Sequence, residues 1–253
     1  MLRHPTVSKL HTLRLAGMAQ ALDEQHRQPD IEQLAFDERL GLLVDREITH
    51  RDNRVLQGRL TRARLRQSAC LEDVDYKVSR GLDRATLARL GTGQWLREHH
   101  NVLITGPAGV GKSYLACALA QHACRQNCSA RYHRLPRLLE DLAVARADGS
   151  YNKLLRSIAK VDVLVIDDWA LSPLSPDGRR DLLEILDDRH QLRSTVVTSQ
   201  LPVNQWHDYI GDPTLADAIL DRLIHASYRI ALKGESLRKR HAPNLTETAP
   251  THP

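Results

Sequence analysis

The chain has 253 residues, 42% of them hydrophobic, and carries a formal net charge of +5. That size suits one α/β domain of about 150–200 residues plus a smaller one, and the apolar share argues against wholesale disorder. Aromatics make up only 4% of the residues, with a single Phe, which speaks against a base-stacking surface of exposed rings.

No stretch reaches the roughly 18 apolar residues of a membrane span, and no apolar leader follows Met1-Leu2-Arg3-His4-Pro5. A reduced cytoplasmic protein with no membrane partner is expected. Cys70, Cys117, Cys124 and Cys128 form no C-x-x-C pair, so a zinc site is not expected. Cys117 and Cys124 suit small buried positions on one helix.

Residues 7–66 read as helical. Leu10, Leu13, Met18 and Leu22 recur at helical spacing; Pro29-Asp30 interrupts them, and Asp30 can cap a new helix at Ile31. A junction follows at about residues 67–80. Beyond it, short β-branched runs alternate with helical stretches: Asn101–Thr105, Ala130–Arg134, Val161–Asp167, Ser194–Ser199 and Ser227–Leu232. This is the βαβ rhythm of a parallel sheet with helices on both faces. The tail Ala242–Pro253 holds three prolines and no periodicity, and disorder is expected there.

Gly106-Pro107-Ala108-Gly109-Val110-Gly111-Lys112-Ser113 meets G-x-x-x-x-G-K-[ST], between a strand (Val102-Leu103-Ile104) and a helix opening at Tyr114. Glycines let backbone N–H groups turn around phosphate oxygens, and the helix N-terminus adds its positive end. Lys112 would reach the β- and γ-phosphates of ATP, and Ser113 would offer its hydroxyl to Mg²⁺. Val163-Leu-Val-Ile166 ends in Asp167-Asp168, 55 residues after Lys112. An apolar strand ending in Asp suits a Walker B arrangement. Asp167 would hold Mg²⁺ and Asp168 would orient or deprotonate the attacking water. ATPases of this architecture usually carry Glu at that second position. Asp is roughly 1.3–1.5 Å shorter in reach, which points to slow hydrolysis until a partner closes the site.

Gln200, at the end of Ser194–Ser199, could touch the γ-phosphate if that strand lies beside the P-loop strand; a polar turn before Pro202 fits the same residues. Arg222, just before the last strand, could stabilise phosphoryl charge in a neighbouring subunit, and Arg238 is a candidate second sensor. Both also fit surface arginines.

Together these residues resemble an AAA+ ATPase. More closely they resemble the IstB-like ATP-binding proteins, transposition helpers of a class of bacterial insertion sequences, and their relatives the DnaC-type helicase loaders. The resemblance covers about residues 5–242. Its carriers are Leu13-Arg-Leu-Ala-Gly-Met-Ala19, the P-loop, Val163-Leu-Val-Ile-Asp-Asp-Trp169 and Thr198-Ser-Gln-Leu-Pro202. They continue with Asp212-Pro-Thr-Leu-Ala-Asp-Ala-Ile-Leu-Asp-Arg-Leu-Ile-His225 and Gly234-Glu-Ser-Leu-Arg-Lys-Arg240. It implies an α/β AAA+ core with a five-stranded parallel sheet over residues 69–241, and a small all-α N-terminal domain over 1–68. It also implies a homo-oligomer with shared ATP sites on duplex DNA, DNA deformation and a partner transposase. Many members of this branch share Asp at position 168. Helicase loaders more often carry Asn where this chain has Gln200, which favours the IstB side.

Between Arg46 and Arg66, seven arginines (Arg46, Arg51, Arg54, Arg59, Arg62, Arg64, Arg66) face only Glu47 and Asp52. Arg59, Arg62 and Arg66 fall on one helical face at a spacing of three to four. Such a stripe fits phosphates, or is a solvated face, and nothing in it suggests base reading. Arg179-Arg180, after the acidic pair, is a second candidate lining for DNA. A guanine-reading motif is absent, since Asn152-Lys153 is followed by Leu-Leu. The alternatives are a helicase loader, a small-molecule kinase, and a DNA-bending scaffold for which ATP is only an assembly cofactor.

Overall fold

In a computed structural model that describes residues 5–76 and 80–237, the apolar runs pair into one five-stranded parallel sheet of order β2-β3-β4-β1-β5. The strands are β1 (Asn101–Thr105), β2 (Ala130–Arg134), β3 (Val163–Trp169), β4 (Ser194–Ser199) and β5 (Ser227–Ala231). The three inner strands are buried almost throughout because helices cover the sheet on both faces, and the centre of each is apolar. Val102, Leu103, Ile104, Val163 to Ile166, Val196 and Val197 have no exposed surface. Each contributes roughly 1.5–3 kcal/mol of burial.

Helices join the strands: α6 (Lys112–Arg125), α7 (Leu135–Ala147), α8 (Tyr151–Ala159), α9 (Pro176–Arg189), α10 (Trp206–Ile210) and α11 (Pro213–Ile224). Two short helices, α4 (Arg84–Gly91) and α5 (Gln94–Arg97), precede β1. Local signals set several starts. Asp83, Ser175 and Asp212 each accept a backbone N–H from the first turn of α4, α9 and α11. Pro176 and Pro213 occupy the first position of α9 and α11, where no N–H is needed. Cys117 and Cys124 lie buried on α6, as expected.

The chain divides into two compact units at Thr61/Arg62. The first consists of α1 (Pro5–Thr12), α2 (Ala16–Gln25) and most of α3 (Phe36–Ala63). Two expectations are corrected there. Asp30 lies within a 3₁₀ turn, Pro29–Gln33, and caps no helix at Ile31; α3 starts at Phe36, where Ala35 N–H donates to Glu38. The helix also stops at Ala63, because Arg64 takes φ +50°, so Arg66 does not share a helical face with Arg59 and Arg62.

The Leu13–Ala19 motif is explained by close approach. No side chain of its own caps α2; instead the Glu47 carboxylate, on α3, accepts from Gly17 N–H at 2.8 Å and Met18 N–H at 3.1 Å. A Cβ on Gly17 would stand 2.8 Å from Glu47 Cα and Arg46 O, so only glycine lets α2 reach α3. Arg51 donates to Glu47 at 2.7 Å, and with the two backbone bonds holds its carboxyl below the usual range. The tail 242–253 lies outside the described residues.

Candidate nucleotide site

The C-terminal ends of β1, β3 and β4 are neighbours in the sheet, and there the expected site assembles. Leaving β1, the chain turns at Gly106 (φ +146°) and Gly111 (φ +99°) before α6 begins at Lys112. At Gly106 a Cβ would stand 2.3 Å from the backbone oxygen of Leu232, so only glycine fits, and at Gly111 the left-handed φ favours glycine. Leu232 N–H donates to Thr105 O at 2.7 Å and Leu237 N–H to Gly109 O at 3.0 Å, which seats the segment after β5 against the loop. The Lys112 ammonium lies over the loop, donating to Gly106 O and Pro107 O at 2.7 Å each.

Across from it, Ser113 Oγ donates to Asp167 Oδ1 at 2.9 Å. Asp167 has no exposed surface. Burial raises its carboxyl, but hydrogen bonds from Thr198, Tyr132 and Ser113 and the charge of Arg66 outweigh this, so it titrates below the usual carboxylate range. The same burial, with Asp167 as neighbour, pushes the Tyr132 hydroxyl well up, so it stays a donor. One hydroxyl and one carboxylate form a sparse oxygen set. It fits Mg²⁺, which takes one or two protein oxygens and completes its shell with phosphates and water. Among the described residues no cluster of three His, Cys, Asp or Glu could hold a metal alone.

Asp168 sits at φ +61°, where β3 shifts register against β4 between Ile166 and Trp169. That turn carries its carboxylate to Arg134 at the end of β2, Nε to Oδ2 2.6 Å. A cleft of about 260 Å³ is lined by Lys112, Asp168, Thr198, Ser199 and Gln200, among others. The structure thus brings Lys112, Ser113, Asp167, Asp168 and Gln200 to one place, and β4 does lie beside β1. Arg222 is not part of it. Its Nε donates to Asp187 at 2.6 Å, joining α11 to α9. Arg238 lies outside the described residues.

Sequence reasoning missed Tyr132, Arg134, Thr198 and Arg80. The strand period offers a signal for two of them: Tyr132 and Arg134 are two apart on β2, so they share a face. Arg66, the last arginine of the basic stripe, stands apart from it: its Nη1 lies 3.4 Å from Asp167 Oδ2 and 4.0 Å from Asp168 Oδ2. Of the other arginines, Arg46 pairs with Glu24 and Arg51 with Glu47; Arg54, Arg62 and Arg64 are exposed. Arg180 faces Asp177 at 3.5 Å, and Arg179 is half-buried. No helix among the described residues is long and apolar enough to cross a membrane.

A parallel β2-β3-β4-β1-β5 sheet with a phosphate loop after β1 and an acidic pair ending β3 defines a P-loop nucleotide-binding protein of the AAA+ class. The crystal structure of DnaI superposes with a TM-score of 0.57 at 25% identity, covering 66% of this chain and 92% of that one. The DnaC helicase loader gives a TM-score of 0.56 at 21% identity, covering 65% and 97%. Within that class, the chain belongs to the family of IstB-like ATP binding proteins, which it matches over residues 8–244. An insertion sequence ATP-binding protein of Sinorhizobium fredii is 54% identical, over 94% of this chain and 98% of its own length. One from Pseudomonas fluorescens is 53% identical, over 80% and 88%.

Proposed function

We propose that this chain is an ATP-hydrolysing assembly factor of an insertion sequence. It oligomerises on duplex DNA with ATP shared between subunits, deforms the DNA and recruits or stimulates a partner transposase; hydrolysis ends the assembly. The observation that carries the reading is the Ser113–Asp167 contact beside the phosphate loop, with Asp168 next in the chain. Backbone N–H groups of the loop and Lys112 bind the triphosphate. Ser113 and Asp167 would hold Mg²⁺, which supplies charge neutralisation on the phosphates when bound. Asp168 takes the proton from the attacking water, and Gln200, in the same cleft, orients it. Arg222 serves a neighbouring subunit's nucleotide once it leaves Asp187, and Arg238 contacts the phosphates.

Duplex DNA is held with little sequence preference by the arginines of residues 46–64, with Arg179 and Arg180 a second candidate lining. The relatives matched almost end to end belong to insertion sequences, whereas the helicase-loader fold covers about two thirds of the chain, which favours transposition over helicase loading. The test is electron microscopy of the protein with duplex DNA and a slowly hydrolysed ATP analogue. Ordered oligomers that need both DNA and analogue support the reading; single subunits under those conditions refute it. ATP turnover that rises with duplex DNA separates it from a small-molecule kinase or a non-hydrolysing scaffold.

A further inference from the structure

The acceptor positions of Asp167 are full. Oδ1 accepts from Ser113 at 2.9 Å and from the Thr198 hydroxyl; Oδ2 accepts from the Tyr132 hydroxyl and from Arg66 Nη1 at 3.4 Å. A carboxylate offers about four lone-pair sites, so a divalent cation at Asp167 has to take the place of one donor. The four donors are not equivalent. Thr198 and Tyr132 are buried strand residues fixed by the sheet, and Ser113 stands in the first turn of α6. Arg66 makes the longest contact, its side chain is 42% exposed, and it comes from a segment outside any helix or strand. It is also the one donor with a positive charge, which a dication repels.

We propose that Arg66 is a positioning residue of the nucleotide site: it is the resident counter-cation of Asp167, and the divalent metal that accompanies nucleotide displaces it, loosening the segment that follows α3. This rests on the nucleotide-site reading above and reassigns Arg66 from the DNA stripe. The Asp167 carboxylate is thereby held in place, with Oδ1 toward Ser113, before metal arrives. Metal binding is weakened by the competing cation, and the change is reported to residues 64–70.

The test is the magnesium dependence of binding of a fluorescent ATP analogue to the full chain, without DNA. In Arg66→Ala and Arg66→Gln the magnesium concentration for half-maximal binding falls about three- to fivefold, the upper end of the effect expected for a half-exposed ion pair. Arg66→Lys, which keeps the charge, stays within about twofold of the wild type. In the wild type, hydrogen–deuterium exchange over residues 64–70 is faster with analogue and magnesium than with analogue and EDTA. A midpoint that is unchanged or raised in the neutral variants overturns the proposal. So does a lysine variant that behaves like alanine, or exchange that ignores magnesium. None of these outcomes touches assembly on DNA, which is read separately by microscopy; loss of analogue binding in Lys112→Ala tests the nucleotide site itself.

Discussion

Lys112 and the arginines of residues 46–64 are all cations suited to phosphate, and the fold treats them in opposite ways. Lys112 is 9% exposed and anchored over a glycine loop by two carbonyls. The arginines stand on α3 or just beyond it; Arg54, Arg62 and Arg64 are exposed, Arg59 is half-buried, and Arg46 and Arg51 pair with Glu24 and Glu47. The first is a preorganised site, in which each donor has a fixed place. The second is a field, in which charge matters more than position. Interactions in the first should be large and local; those in the second small, additive and sensitive to salt.

That contrast can be broken from its strong end. Asp168→Asn should lower single-turnover ATP hydrolysis by about 10²–10⁴ while leaving ATP-analogue binding nearly intact, as loss of a general base does. Full activity in the asparagine variant removes the role assigned to Asp168. Lys112→Ala should weaken binding of a fluorescent ATP analogue by about 10²–10³, the scale of losing a desolvated charge partner. Equilibrium titration checks this, and an affinity within threefold of the wild type shows that the loop is not the nucleotide site.

Smaller effects sharpen the comparison through the framework of each unit. Gly17→Val forces a side chain into the backbone of α3 and should cost about 1–3 kcal/mol of the first unit's stability. Thermal unfolding reads this, with ATP-analogue binding by the second unit retained. His133 lies on the opposite face of β2 from Tyr132, and burial together with the Arg131 charge pushes its pKa down to about 4. The unfolded chain binds this proton at a higher pH than the folded one, so stability falls as pH drops from about 6.5 to about 4. The loss is on the order of 3 kcal/mol, and His133→Gln should flatten that part of the pH-stability curve. Arg59→Ala is the mildest change. It should reduce the slope of log DNA affinity against log salt by about 1 and leave sequence preference unchanged. A slope that does not move puts the DNA elsewhere.

Much of the fold was legible because its signals are local. β1, β2 and β4 match their expected bounds, since apolar runs flanked by turn residues announce themselves. β3 starts later and ends later than expected. Asp162 turns its side chain to Ser129 ahead of the strand, and Trp169 regains pairing with Ser199 after the register shift. Its polar end, buried against β2 and β4, could not be foreseen from apolar patterning. The helix thought to run to residue 66 stops at Ala63, where nothing in the arginine-rich stretch announces the break at Arg64.

The sequence by itself determined the groups that chemistry near a triphosphate requires: the glycine loop, Lys112, Ser113 and the Asp167-Asp168 pair. Their spacing is a property of contiguous chain, so it survives without knowledge of the fold. Tertiary structure decided which donors meet those acids. Tyr132 and Arg134 reach them from the neighbouring strand, Thr198 from the strand on the other side, and Arg66 from 101 positions away. Long-range pairing depends on sheet order and strand register, which no short stretch encodes. For that reason Arg66 reads as one more basic residue along the chain, yet stands in the fold as a partner of the buried Asp167 carboxylate.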